Sequence, residues 1–165
     1  MTTQQSTFSV SDWLTGRLPS EWFTSVAVTV DREEITILGT IPAPESGSTD
    51  SQSGRIKRFR EDTRGQRIEI ALELESRTEL KVSWGVTCGQ TTEMFTRLAV
   101  PVMTRLAQPQ RQVLDTLVEA GVARSRSDAL AWCVRLVAQH QGDWLAELES
   151  AMGSVRAARA NGPSA

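Results

Sequence analysis

The stretch Gln112–Val137, QVLDTLVEAGVARSRSDALAWCVRLV, decides how the chain is divided. Leu114, Leu117 and Val118 recur at helical spacing, and Gly121 follows the last turn, where a left-handed residue is cheap. Ser125 then offers a side-chain oxygen to the free amides of a second helix, and Asp128 stands three residues on. That spacing is box-like, although Glu or Gln is the usual partner there. Arg124 and Arg126 flank the second helix start. The pattern predicts a helix, a tight turn and a capped helix whose electropositive N-terminus seats a phosphate through Arg124, Ser125, Arg126 and Ser127.

Working outward, Pro109 suits the first turn of the earlier helix. The later helix carries an apolar stripe of Leu130, Cys133, Val134, Val137, Trp144, Leu145, Leu148, Met152 and Val155. It either continues past Gly142 or breaks there into two helices. From this stripe and its neighbour, Leu130, Trp132, Cys133, Val137 and Trp144 are the candidate dimer-interface residues.

The helix pair resembles the second half of ribbon-helix-helix DNA-binding proteins, the Arc/MetJ/CopG-like family. The matching residues are Leu114, Leu117, Val118, Gly121, Ser125, Arg126, Ser127, Asp128 and Ala129, within a stretch of 26 of the 165 residues. The resemblance implies a homodimeric DNA-binding transcription regulator. The family also places a short strand before the first helix, which pairs with its twin and enters the major groove. Phe95–Val102, FTRLAVPV, is the nearest candidate, with Thr96 and Arg97 as base-reading side chains and Pro101 unable to donate to a ladder. The same residues also read as a helix capped by Thr91 or Thr92 and running through Met94, Leu98, Val102 and Leu106.

Towards the N-terminus, residues 1–7 are polar and read as frayed. Val10–Leu18 reads as a short helix capped by Ser11 or Asp12, with Trp13, Leu14 and Leu18 on one face. Ser25–Asp31 and Glu34–Ile41 alternate β-branched residues across a short connection, which predicts an antiparallel hairpin. Residues 42–54 are rich in Pro, Ser and Gly and read as a flexible loop. Arg55–Thr78 reads as one long charged helix, with a strand as the competing reading for residues 68–76, and Leu80–Cys88 as a third strand.

The expected fold class is α+β, a small antiparallel sheet of about three strands packed by a long charged helix. A C-terminal helical hairpin or bundle follows it. The expected division is an α-β-β-α-β domain over 1–90, a helical region over 91–160 and a disordered tail over 161–165.

The strongest charge feature is Arg55–Arg67, RIKRFREDTRGQR. On a helix, Arg60, Arg64 and Arg67 fall in a row with Lys57, while Arg55 and Arg58 extend the positive charge. Such a row tracks a phosphate backbone, with Phe59 as an apolar anchor. The competing reading is a solvated face whose arginines pair with Glu69, Glu73 and Glu75.

Catalytic signals are weak. His140 is the single histidine, and the thiols Cys88 and Cys133 stand in unlike contexts. No phosphate-loop glycine pattern and no metal-ligand cluster occurs, so no enzyme activity, cofactor, metal or small-molecule substrate is expected. A net charge of −2 argues against coating nucleic acid along the whole surface but allows a local basic site. The 16 Arg against 2 Lys fit a high-GC genome, such as an actinobacterium's. The N-terminal residues lack a basic start and an apolar run, and no apolar stretch reaches membrane-spanning length, so a cytoplasmic protein is expected.

The leading functional expectation is nucleic-acid binding, with DNA or RNA phosphate as partner and a homo-oligomer as the assembly. The alternatives are a protein-protein interaction or homo-oligomerisation module, and an RNA- or ribosome-associated factor.

Overall fold

A computed structural model describes residues 8–162. The expectations for residues 1–7 and for residues 163–165 of the tail lie outside the described residues. The chain forms two compact units, Met1–Val102 and Met103–Ala165, in an α+β arrangement. Among the described residues no helix is long and apolar enough to cross a membrane.

The first unit runs α1 (Val10–Arg17), β1 (Ser25–Val30), β2 (Glu34–Ile41), α2 (Thr49–Asp62), α3 (Arg64–Thr78), β3 (Lys81–Cys88) and β4 (Thr91–Met94). Its sheet has four strands in the order β1-β2-β3-β4. The β1–β2 hairpin is closed by Asp31, whose Oδ1 accepts the backbone N–H of both Glu33 and Glu34 at 2.8 Å. These two bonds to the carboxylate form hold the Asp31 carboxyl below its ordinary range, the Glu34 bond contributing most.

The sheet is mixed, which corrects the antiparallel expectation. β2 pairs parallel with β3, with Ile37 opposite Trp84 and Ile41 opposite Cys88. Parallel neighbours need a long crossover. Here α2 and α3 supply it, whereas side-chain alternation within a strand carries no information about its direction. A fourth strand also stands where a helix or a ribbon was expected. Thr91 and Thr92 do not cap a helix; they pair antiparallel with Cys88 and Thr87 across the turn at Gly89, whose φ is 60°. Phe95 and Thr96 extend that edge through bonds from Phe95 N–H to Trp84 O at 2.7 Å and from Trp84 N–H to Thr96 Oγ1 at 3.1 Å. Beyond them Phe95–Val102 forms neither the expected ribbon strand nor a helix.

The charged segment is helical through residues 68–76, but it is two helices, broken at Thr63. The Thr63 hydroxyl bonds back to Phe59 O at 2.6 Å, a competition with the backbone ladder that bends helices. The first of the two starts inside the stretch expected to be a flexible loop. Ser48 caps it by accepting Ser51 N–H at 3.2 Å. Gln52, only 5% exposed, then ties that turn to the sheet: its amide donates to Gly47 O, and its carbonyl oxygen accepts from Gln90 N–H and Thr91 Oγ1. A serine-rich composition reads as loop; a buried glutamine that satisfies three distant groups makes it a helix. The Val10–Leu18 helix is capped not by Ser11 or Asp12 but by Ser9, two residues before the earlier of them, which accepts from Asp12 N–H.

All three helices supply the same sheet face. Leu14 of α1 and Ile70 and Leu74 of α3 meet Ile35, Ile37, Trp22 and Trp84, and Ile56 of α2 meets Ile41, Val86 and Cys88. Burying several such aliphatic side chains, at about 1.5–3 kcal/mol each, is what holds the unit.

The second unit is α4 (Gln108–Glu119), α5 (Arg126–His140) and α6 (Gly142–Ala160). The α4 C-terminus closes at Gly121, φ 76°, with Val122 N–H bonding Leu117 O at 3.0 Å and Gly121 N–H bonding Val118 O at 3.1 Å. That pair of bonds is the Schellman arrangement, and Gly at this position avoids the Cβ strain. The stripe past His140 does break at Gly142. The core is small: Leu114, Ala123 and Ala129 are buried, and Leu130 and Cys133 pack against them half-buried.

Candidate nucleic-acid interface

Two places were expected to meet phosphate, and the structure treats them differently. At the start of α5 the chain satisfies itself. Ser125 Oγ accepts Asp128 N–H at 3.2 Å, and the Asp128 carboxylate accepts Arg124 N–H at 3.0 Å. Arg126 makes a two-pronged contact with Asp115, Nε to Oδ1 at 2.7 Å and the second nitrogen to Oδ2 at 2.8 Å. Ser127 is exposed in the first turn. A phosphate here competes with two carboxylates already in place, so the dipole and the open amides count for less than the sequence suggested.

The Asp115 carboxyl is held below its ordinary value of 3.8, chiefly by the hydrogen bond from Arg126. Because the folded value is depressed, the contribution of this contact is present above the ordinary carboxylate value and is lost as pH falls through the lowered one. A carboxyl-carbon NMR titration should show Asp115 titrating at lower pH than a free aspartate, and Arg126→Ala should return it to the ordinary range.

The α2–α3 junction is the other place. Of the acidic residues expected to neutralise its arginines, two are engaged elsewhere, Glu73 with Arg17 at 2.6 Å and Glu75 with Lys81 at 3.3 Å, and Glu69 makes no ion pair among the described residues. Arg58 alone of the row has a carboxylate, Asp62 at 3.5 Å on a fully wetted face. Among the described residues, Arg55, Lys57, Arg60, Arg64 and Arg67 make no ion pair. Lys57, Arg60 and Arg64 line an open groove of about 540 Å³ with Ser53 and the carboxylates of Asp50, Glu61 and Glu93. Glu93 is held back there by the Ser53 hydroxyl at 2.6 Å.

Arg67 is bonded to the backbone of Arg60, one of the groove's residues, and is 7% exposed. Its Nε donates to Thr63 Oγ1 at 3.0 Å and one terminal nitrogen to Arg60 O at 2.7 Å. No carboxylate balances it. Burial first, then the charges of Arg60 and Arg64, push its pKa down to about 10, so it stays cationic at neutral pH. The guanidinium carbons of Arg67 and Arg60 lie 4.7 Å and 5.3 Å from the centroid of the Phe95 ring. Cation–π attraction fixes both side chains at one spot.

Phe95 was read as part of a ribbon strand, and its role as a platform for these arginines was not legible, because it is set by a sheet edge and a helix far apart in sequence. Phe59, expected as an anchor for a ligand, packs instead against Trp22 and Phe23. Arg97 is exposed in an irregular stretch. Of the candidate dimer residues, Leu130 and Cys133 serve the core of their own unit and Trp132 is half-buried, while Val137 and Trp144 are about half exposed. Cys88 is buried with its thiol 3.8 Å from Pro42 O, and His140 is exposed.

Comparison with known proteins corrects the family resemblance. Residues 8–94 match the family described as Rv1265-like protein, N-terminal domain, and residues 107–159 match the Mb1296 C-terminal domain. The helix pair that resembled a ribbon-helix-helix lies inside the second match, and no ribbon-helix-helix family is matched. A helix ending in glycine followed by a serine-capped helix is a general solution to joining two short helices, so the motif alone does not carry the family. No solved structure matches the chain. The uncharacterized proteins Rv1265 and MT1303 of Mycobacterium tuberculosis and Mb1296 of Mycobacterium bovis are each 54% identical to it over 164 residues, covering 97% of this chain and 73% of theirs. Both matches and the near full-length identity place the chain in the Rv1265-like family.

Proposed function

We propose that this protein binds nucleic acid, and that the α2–α3 arginine cluster grips the phosphate backbone of duplex DNA. The observation that carries the reading is Arg67, a buried guanidinium that has no carboxylate partner among the described residues; it is bonded to Arg60 at a groove whose Lys57, Arg60 and Arg64 make no ion pair although Asp50, Glu61 and Glu93 also line it. Burying an unpaired charge is costly. An anion arriving in the groove repays that cost, and the unused N–H groups of a guanidinium match phosphate oxygens. The break between α2 and α3 at Thr63 and the ring of Phe95 fix where those groups point. A regulatory role at DNA is the form of this function we favour.

The test is binding to random-sequence duplex DNA across a salt series. If Lys57, Arg60, Arg64 and Arg67 each neutralise one phosphate, the slope of log K against log salt is about −3.6, at about −0.9 per contact. Arg60→Ala with Arg64→Ala should roughly halve that slope, since two contacts remain of about four. Arg126→Ala, at the self-satisfied α5 start, should leave it unchanged. An absence of binding at low salt, or a slope indifferent to the double substitution, refutes the proposal; tighter retention of duplex RNA than of DNA refutes the choice of DNA.

A further inference from the structure

Among the described residues, the last helix meets the preceding one and buries none of its own side chains. α6 spans 19 residues from Gly142 to Ala160, a rod about 28 Å long at about 1.5 Å per residue. None of its residues is buried. Isolated helices near this length are marginal in water, and helices in proteins are held mostly by packing an apolar face. That face exists: Leu145, Leu148, Met152 and Val155 are 38%, 44%, 52% and 48% exposed. Their spacing of three, four and three is the 3.5-residue period of a coiled-coil seam, not the broader stripe of a helix lying on a globular core. Trp144, 53% exposed, flanks one end of the seam.

The charges say what fits the seam. Asp143, Glu147 and Glu149 occupy the first half of α6, and Arg156 and Arg159 the second. None of the five makes an ion pair among the described residues. A helix acidic at one end and basic at the other is complementary to itself when reversed, and repels itself when parallel. The helix dipoles favour the same arrangement. The unit that carries α6 buries only Leu114, Ala123 and Ala129, so it has little core of its own to spare. Small cores of this kind commonly depend on association.

We infer that α6 pairs antiparallel with α6 of a second copy of this chain. Leu148 then faces Met152 of the second copy and Leu145 faces Val155, with the twofold axis passing beside Ser150. Of the charged residues, Glu149 and Arg156 flank the seam on one side, so Glu149 of each copy approaches Arg156 of the other. The interface is isologous and closes on itself. Its seam is shorter than a standard stable interface, so the pairing is reversible and depends on concentration.

Sedimentation equilibrium on the full chain tests this, with exposed positions chosen so that the fold is undisturbed. The native chain should show a monomer–dimer equilibrium. Leu148→Glu should weaken it by about a hundredfold or more, because a carboxylate enters an apolar seam. Arg156→Glu should weaken it too, and adding Glu149→Arg should restore it. A chain that stays monomeric at every concentration, a dimer indifferent to Leu148→Glu, or a charge reversal that the second reversal fails to rescue overturns the inference.

Discussion

Trp84→Ala should destabilise the Met1–Val102 unit by about 3–5 kcal/mol, the usual cost of deleting a large buried aromatic. Trp84 is 3% exposed at the centre of the sheet, opposite Ile37 and edge-on to Trp22 at 6.4 Å. Trp22 in turn meets Phe59 edge-on at 5.6 Å, so the cavity would open at the hub of an aromatic cluster. Each kcal/mol lowers the midpoint by roughly 4–8 °C in a unit of this size. Trp84→Phe should behave differently. The indole N–H is buried and finds no acceptor among the described residues, a burden of about 1–3 kcal/mol that phenylalanine removes. Its cost should therefore stay below about 2 kcal/mol, once lost contacts are set against the relieved N–H. Thermal unfolding of both variants decides the matter; equal losses would mean that the N–H is satisfied and that packing alone governs the site.

Arg67→Met should raise stability by about 1–2 kcal/mol while lowering DNA affinity at least about tenfold. Methionine fills the stem volume over Phe95 and needs no counter-charge, whereas the guanidinium is buried with two hydrogen bonds and no carboxylate. The gain is set at the low end because those two bonds are lost. The pH dependence has a definite sign. The folded pKa, about 10, lies below the ordinary arginine value, so the unfolded chain holds this proton more tightly. Stability should rise as pH climbs above about 10, and be lost as pH falls back through 10. The methionine variant should lack that rise. A variant less stable than the native chain, or one that binds DNA equally well, would remove Arg67 from the proposed interface.

Much of the fold was legible locally. The hairpin of Ser25–Val30 and Glu34–Ile41, the strand ending at Cys88, the helical reading of 68–76 and the Gly121 turn all rest on patterns within a few residues of one another. Three features were not. Gln52 turns a serine-rich stretch into helix by reaching Gln90 and Thr91. Thr91–Met94 becomes a strand because Cys88 and its neighbours offer a sheet edge. The arginine row keeps its charge because Arg17 and Lys81 capture Glu73 and Glu75. The same holds at α5, where Arg126 stands at the expected helix start but is met by Asp115, eleven residues upstream.

The sequence by itself determined the β1–β2 hairpin, the Gly121 turn and the Ser125 cap, which faces are apolar and where cations gather, since periodicity and capping act within one or two turns. Only the tertiary structure decided the parallel pairing of β2 with β3, which arginines keep their charge unbalanced, and which helix buries none of its own side chains. Those outcomes depend on which distant groups arrive within about 4 Å of one another, and at that range an opposite charge cancels a cation whatever its local sequence promises.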